Sequence, residues 1–380
     1  MRIQGDWLND PATQNVMAML ADAGHQAYFV GGCVRNALLG VAVADVDIAT
    51  DALPDRVMTL AAARGLKAVA TGIEHGTVTV VSKGVAHQVT TFRKDIQTDG
   101  RHAVVSFSRD ITDDARRRDF TMNALYASLN GAVSDPLGGL DDLRAGRVRF
   151  IDDAQARIKE DYLRSLRFFR FHAWYGDATG GLDADALAAI SANLDGLDRL
   201  SGERVGSEIT RLLAAPDPAP ALAAMGHAGV LARILPGANS RALAVLIHAE
   251  DGEAADPMRR LAALGGQDLA RRLRLSRKQD RSLAVLRDNI TSTASVAALA
   301  YRIGAQAARD ITMLQAALLD RELPRDFRQQ ADMGAAQVFP VKAADLMEKF
   351  EGEALGQLLK ELETRWIHSD FELTRSQLLT

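Results

Sequence analysis

A chain of 380 residues is too long for one small core, and the usual domain size divides it into two or three compact units. Apolar residues make up 47% and charged residues 25%, a balance that excludes a disordered or fibrous chain. The formal net charge of −4 excludes a polycation that coats nucleic acid indiscriminately, and no apolar run approaches the roughly 18 residues of a membrane span.

The opening MRIQGDW has neither a basic nor an apolar targeting segment, and the single cysteine, Cys33, cannot form an internal disulfide, so a cytoplasmic protein is expected. The first 150 residues mix strand and helix signals. A helix is predicted over about 12–23, ending at Gly24, and a strand over about 26–30. Gly31-Gly32 then turns the chain into a short helix that ends near Leu39-Gly40. A second strand is expected over Val43–Ile48 and a helix over Pro54–Arg64. Thr77–Val81 and Val85–Phe92 alternate apolar and polar residues around Ser82-Lys83-Gly84, the pattern of a hairpin. The polar stretch from Thr91 to His102 has turn chemistry at Asp99-Gly100.

From Ala154 onward, Ala/Leu/Arg-rich helical segments are broken at Gly180-Gly181 and Pro216-Asp217-Pro218, and a last amphipathic helix is predicted over Ala344–Trp366. The expected division is a head over 1–150, a helical neck over 151–240, a body over 241–320 and a tail over 321–380. Nine basic residues gather between Arg259 and Arg287, which fits either a solvated helix face or a surface for RNA backbone.

Two features carry chemistry. Asp45 and Asp47 are two apart in a strand-like run, so alternation puts both carboxylates on one face, where hard oxygen ligands suit Mg²⁺. Just upstream, Gly31-Gly32 can bring bare backbone N–H groups against a phosphate at a helix start, with Arg35 one turn on. The second feature is Glu160–Phe171, helical by pattern, in which Asp161 and Arg164 lie at i and i+3. A salt bridge accounts for that pair. So does base reading: cytosine and adenine each present an exocyclic amino donor beside a ring-nitrogen acceptor, which a carboxylate beside a guanidinium can match, whereas uracil and guanine reverse both roles.

The run from Gly31 to Gly40 followed by Asp45-Val46-Asp47-Ile48 resembles the signature of the polymerase-β-like nucleotidyltransferases that comprise the CCA-adding enzymes and bacterial poly(A) polymerases. Arg116–Leu125 looks like the second motif of that family, Glu160–Phe171 like its amino-acid template for the base, and Leu200–Glu208 like its last neck motif. The resemblance implies an α+β fold, with a palm-type mixed-sheet head followed by helical neck, body and tail. It further implies Mg²⁺ held by Asp45 and Asp47, a triphosphate held by Gly32, Arg35 and Arg118, and a base read by Asp161 and Arg164 with Arg167 and Arg170 assisting. On an ideal helix Arg170 points nearly opposite Asp161, which favours a structural role. The reaction so implied is attack of a tRNA 3′-hydroxyl on CTP or ATP, with the 95–102 loop needed for the final A. Two residues depart from the pattern: Asn36 stands where relatives usually have Asp, and Gln88 where many have Glu, leaving Glu74 as another candidate for a third carboxylate. Poly(A) addition is the nearest rival and an inactive RNA-binding relative a more distant one. The lack of a long basic C-terminal extension disfavours the first, and the presence of both Asp45 and Asp47 the second.

Overall fold

The computed structural model describes residues 1–99, 102–177 and 179–380, with the backbone alone for 95–99 and 102–104. The chain divides into two compact units, Met1–Pro236 and Gly237–Thr380. In the first unit, α1 (Pro11–Asp22) starts on Asp10, whose carboxylate accepts from the Ala12 and Thr13 amides, and it packs on a seven-stranded sheet. Sheet and short helices alternate as β1 (Ala27–Val30), α2 (Gly32–Leu38), β2 (Asp47–Thr50), α3 (Pro54–Ala63), β3 (Lys67–Gly72), β4 (Thr77–Ser82) and β5 (Val85–Thr91). A separate two-stranded ribbon, β6 (Arg93–Asp99) with β7 (His102–Phe107), precedes α4 (Ile111–Arg116), and β8 (Tyr126–Ala127) and β9 (Val133–Ser134) complete the main sheet.

The strand order is β3-β4-β5-β2-β1-β8-β9, mixed because β2 runs parallel to β5 and antiparallel to β1. The β4–β5 hairpin closes on Lys83 and Gly84, both at positive φ, with Ser82 opposite Val85, as the sequence leads one to expect. The turn expected at Asp99-Gly100 includes Gly100, which lies outside the described residues.

The second strand is shorter than expected. Val43–Val46 are not extended in the sheet, and β2 begins at Asp47. Its antiparallel neighbour β1 ends at Val30, because Gly31 turns the chain away, so residues before Asp47 have no partner on that side.

Two separate helices follow the head: a short α5 (Ala154–Glu160) and a longer α6 (Leu163–Tyr175). The expected continuous helix from Glu160 breaks at Asp161, which is extended (φ −153°) and whose carboxylate accepts from the Leu163 amide, a local bond that competes with helix propagation. Phe120, Phe150, Phe168 and Phe171 pack ring against ring beneath α6, and α7 (Gly202–Leu213), capped by Ser201, lies alongside it.

Every regular element described in the second unit is helical, including α8 (Pro257–Leu264), α9 (Arg277–Asn289), α10 (Ala305–Leu319) and α11 (Gly352–His368). The expected Ala344–Trp366 helix is interrupted: a short 3₁₀ turn at Ala343–Asp345 is followed by extended Glu351 and by Gly352 at φ +55° before α11 begins. The basic cluster also splits. Arg259 and Arg260 are buried against Glu250 and Asp310, whereas Arg277, Lys278 and Arg281 remain exposed on α9.

Candidate active site

The site grows from the turn between β1 and α2. Gly31 sits at φ +73°, ψ −121°, a conformation that a side chain would strain, and a methyl group there would lie 3.4 Å from Arg118 Nη1. Glycine at this position therefore brings the backbone at the helix start directly under a guanidinium. Arg118 is aimed by neighbours that the sequence did not reveal: its Nη2 donates to Asp114 (3.0 Å) and its Nε to the Tyr126 hydroxyl (3.3 Å). Burial works against the charge, but Asp114 outweighs it and strengthens the Arg118 cation.

Asp45 and Asp47 are both exposed at this end of β2. Protein packed beneath the solvent-facing Asp47 partly desolvates its carboxyl and raises it above its ordinary value, Arg118 pulls it back, and the charge of Asp45 adds to the rise. The two carboxylates thus share one electrostatic environment with Arg118. Gln88 stands directly across from Asp47 in register and offers a neutral oxygen. Glu74 does not join them. It lies in the turn before Thr77, which pairs with Thr90, toward the end of β5 that adjoins Thr50 rather than Asp47. Among the described residues no group of three His, Cys, Asp or Glu side chains gathers to hold a metal ion. The donor chemistry fits a divalent cation bound by two carboxylates, its other positions left to phosphate oxygens and water.

Arg35 differs from expectation. It is buried, and its guanidinium donates to Asn123 Oδ1 (2.6 Å), Asn36 Oδ1 (2.9 Å) and the Tyr175 hydroxyl (2.8 Å) while stacking on the Tyr175 ring at 4.0 Å. All of those partners are neutral. From Asn123 a chain of hydrogen bonds continues: Asn123 Nδ2 donates to Asp119 (2.9 Å), Arg167 Nε donates to Asp119 (2.7 Å), and Arg170 Nε donates to Glu208 (2.6 Å). The Arg35, Arg167 and Arg170 guanidinium carbons lie 5.2, 5.3 and 4.4 Å from the centre of the Phe171 ring. Burial opposes all three charges. At Arg167 the carboxylates of Asp119 and Glu208 outweigh it; at Arg35 and Arg170 it wins, and their pKa values are lowered. This cluster holds more cation than its carboxylates compensate.

Asp161 and Arg164 are not a salt bridge. Asp161 Oδ2 accepts from Arg204 Nη2 (2.6 Å), and Arg164 Nη1 pairs with Glu160 and donates to the Arg157 carbonyl (3.2 Å). A single turn keeps them close in the chain, since the Arg164 amide donates to the Asp161 carbonyl (3.0 Å). One acceptor and one donor, each braced by another partner, are what reading a base edge demands.

Residues 27–149 match the family described as the poly(A) polymerase head domain, and residues 181–241 the probable RNA and SrmB-binding site of polymerase A. The chain is 32% identical to the mitochondrial CCA tRNA nucleotidyltransferase 1 of Mus musculus over 97% of its own length and 88% of that protein. It is 42% identical to the CCA-adding enzyme of Geobacillus thermodenitrificans over 58% of its length and 54% of that enzyme. Its fold superposes on the Bacillus stearothermophilus CCA-adding enzyme solved with CTP with a TM-score of 0.75 and 30% identity, covering 94% of this chain and 93% of the other. The Thermotoga maritima CCA-adding enzyme complexed with tRNA shares the fold, with a TM-score of 0.73 at 19% identity.

Proposed function

The chain belongs to the CCA-adding tRNA nucleotidyltransferase family, and we propose that it adds C, C and A to the 3′ end of tRNA from CTP and ATP through the residues assembled around Gly31-Gly32. The observation that carries the assignment of residues is the convergence of Gly31, Arg118, Asp45 and Asp47 at one end of β1 and β2. Gly32 and Arg118 hold the triphosphate, the first with backbone N–H groups at the helix start and the second with its Nη1 beside Gly31. Arg35 and Arg167, whose donors are largely engaged, contribute the field of the surplus cations rather than a free fork, and Arg170, held on Glu208 through Nε, adds to that field.

Asp45 and Asp47 would hold a divalent ion, Mg²⁺ by donor type, which when bound supplies charge neutralisation on the phosphates and a more acidic 3′-hydroxyl. The 3′-oxygen of tRNA forms a bond to the α-phosphorus as its proton leaves, and the bond from that phosphorus to pyrophosphate breaks. Asp161 accepts the exocyclic amino group of C or A while Arg164 donates to the ring nitrogen, so selection needs no template. Head and neck are read as 1–150 and 151–240, the neck ending four residues past the first unit's last residue, Pro236, and body and tail as 241–320 and 321–380. No described helix is long and apolar enough to cross a membrane; the cytoplasm is the proposed compartment.

The test is to incubate the protein with tRNA lacking its 3′ trinucleotide and each NTP alone and combined, then sequence the products. C, C and A in that order, with one pyrophosphate per addition, is the expected result. Runs of A alone would overturn the assignment in favour of poly(A) addition.

A further inference from the structure

We propose that Arg204 is a positioning residue for base selection, and that the segment from Gly196 to Arg204 splints the Asp161 carboxylate in the orientation that distinguishes C and A from U and G. This rests on the base-reading roles of Asp161 and Arg164 given above. Asp161 lies in the break between α5 and α6, so no helix fixes its side chain. Two donors do: the Leu163 amide on Oδ1 (3.1 Å) and Arg204 Nη2 on Oδ2 (2.6 Å). Each oxygen keeps a lone pair for an incoming amino group.

The neighbouring residue is braced by the same segment. The Tyr162 ring lies so close to Gly196 that a Cβ there would fall 1.9 Å from Cε1, and the Arg199 guanidinium sits 5.7 Å from the ring centre. Arg164 is held separately, by Glu160 and by the carbonyls of Arg157 (3.2 Å) and Arg117 (3.4 Å). Acceptor and donor are therefore anchored to different parts of the fold.

That separation has a chemical use. Uracil and guanine place a ring N–H beside the position where cytosine and adenine place their amino group. A carboxylate free to swing toward Arg164 could accept that ring N–H and lose discrimination, whereas one pinned by Arg204 cannot follow it.

The experiment measures kcat/KM for CTP and UTP, with melting temperature, in Arg204→Gln, Arg204→Lys, Gly196→Ala and Asp161→Ala. In Arg204→Gln the CTP:UTP ratio should fall roughly ten-fold or more, mostly through KM for CTP, with Arg204→Lys partly restoring it. Gly196→Ala, which displaces Tyr162 without touching nucleotide, should lower the ratio in the same direction. A lower melting temperature with an unchanged ratio in the Arg204 variants would make Arg204 a structural brace and overturn the proposal. If Asp161→Ala keeps its selectivity, the base-reading assignment fails and the role of Arg204 with it. Loss of selectivity in Asp161→Ala with full retention in Arg204→Gln removes the Arg204 proposal alone.

Discussion

Each unit of this protein holds a network of arginines, part-buried in the first and fully buried in the second, and the two networks balance their charge differently. In the first unit Arg35, Arg167 and Arg170 surround Phe171 with Asp119 and Glu208 as their anionic partners, and Arg35 bonds only neutral groups. In the second, Arg259 and Arg260 meet Glu250 and Asp310, and Arg259 is 1% exposed. A buried charge is costly unless compensated, so a network whose arginines are matched by carboxylates acts as a brace, while one with cation to spare favours an anion from outside. Location among the chemistry-bearing motifs makes the same distinction independently.

The comparison separates chemistry from stability, and substitutions can break it. The largest effect is expected at the carboxylates of the candidate site in the first unit: Asp45→Ala and Asp47→Ala should each lower C and A addition together by about 10³-fold or more, while melting stays near wild type. Activity within a few-fold of wild type would remove them from the site. Next, Arg259→Met should leave Asp310 and Glu250 short of a partner and lower stability by about 3–5 kcal/mol in urea titrations, with kcat/KM of the folded enzyme unchanged.

A pH dependence sharpens the contrast. Burial alone would raise the Asp119 carboxyl, but Arg167 and the Asn123 amide hold it down, from 3.8 to about 2. A depressed carboxylate contributes stability that is present above its unfolded pKa and is lost as pH falls through its folded one, here about 2 kcal/mol between roughly pH 4 and pH 2. In Asp119→Asn that part of the acid-side slope should vanish. The smallest effect is expected at the exposed cations: Arg281→Ala should change stability by no more than about 0.5 kcal/mol.

The head motifs were legible because their chemistry is local. Gly31-Gly32 and the β4–β5 hairpin depend on residues a few positions apart, whereas the strand alternation expected to align Asp45 with Asp47 is absent, since β2 begins only at Asp47. What the sequence concealed is long-range. Arg118 reads as one of three adjacent arginines until Asp114 and Tyr126 aim it, and Arg35 reads as a free fork until Asn123 and Tyr175 claim its donors. The helix from Glu160 has an unbroken pattern, yet Asp161 uses its carboxylate to cap α6 and to meet Arg204, 43 residues on. The basic run from Arg259 to Arg287 looks uniform, and only packing divides it into a buried brace and a solvated face.

The most direct test of the contrast is calorimetric titration of CTP, with magnesium present, into wild type, Arg118→Gln and Arg259→Met at a temperature where all three are folded. Arg118→Gln should bind CTP about ten-fold or more weakly, since it loses charge-assisted contacts to phosphate, and Arg259→Met should bind as wild type does. Unchanged CTP affinity in Arg118→Gln would contradict the account.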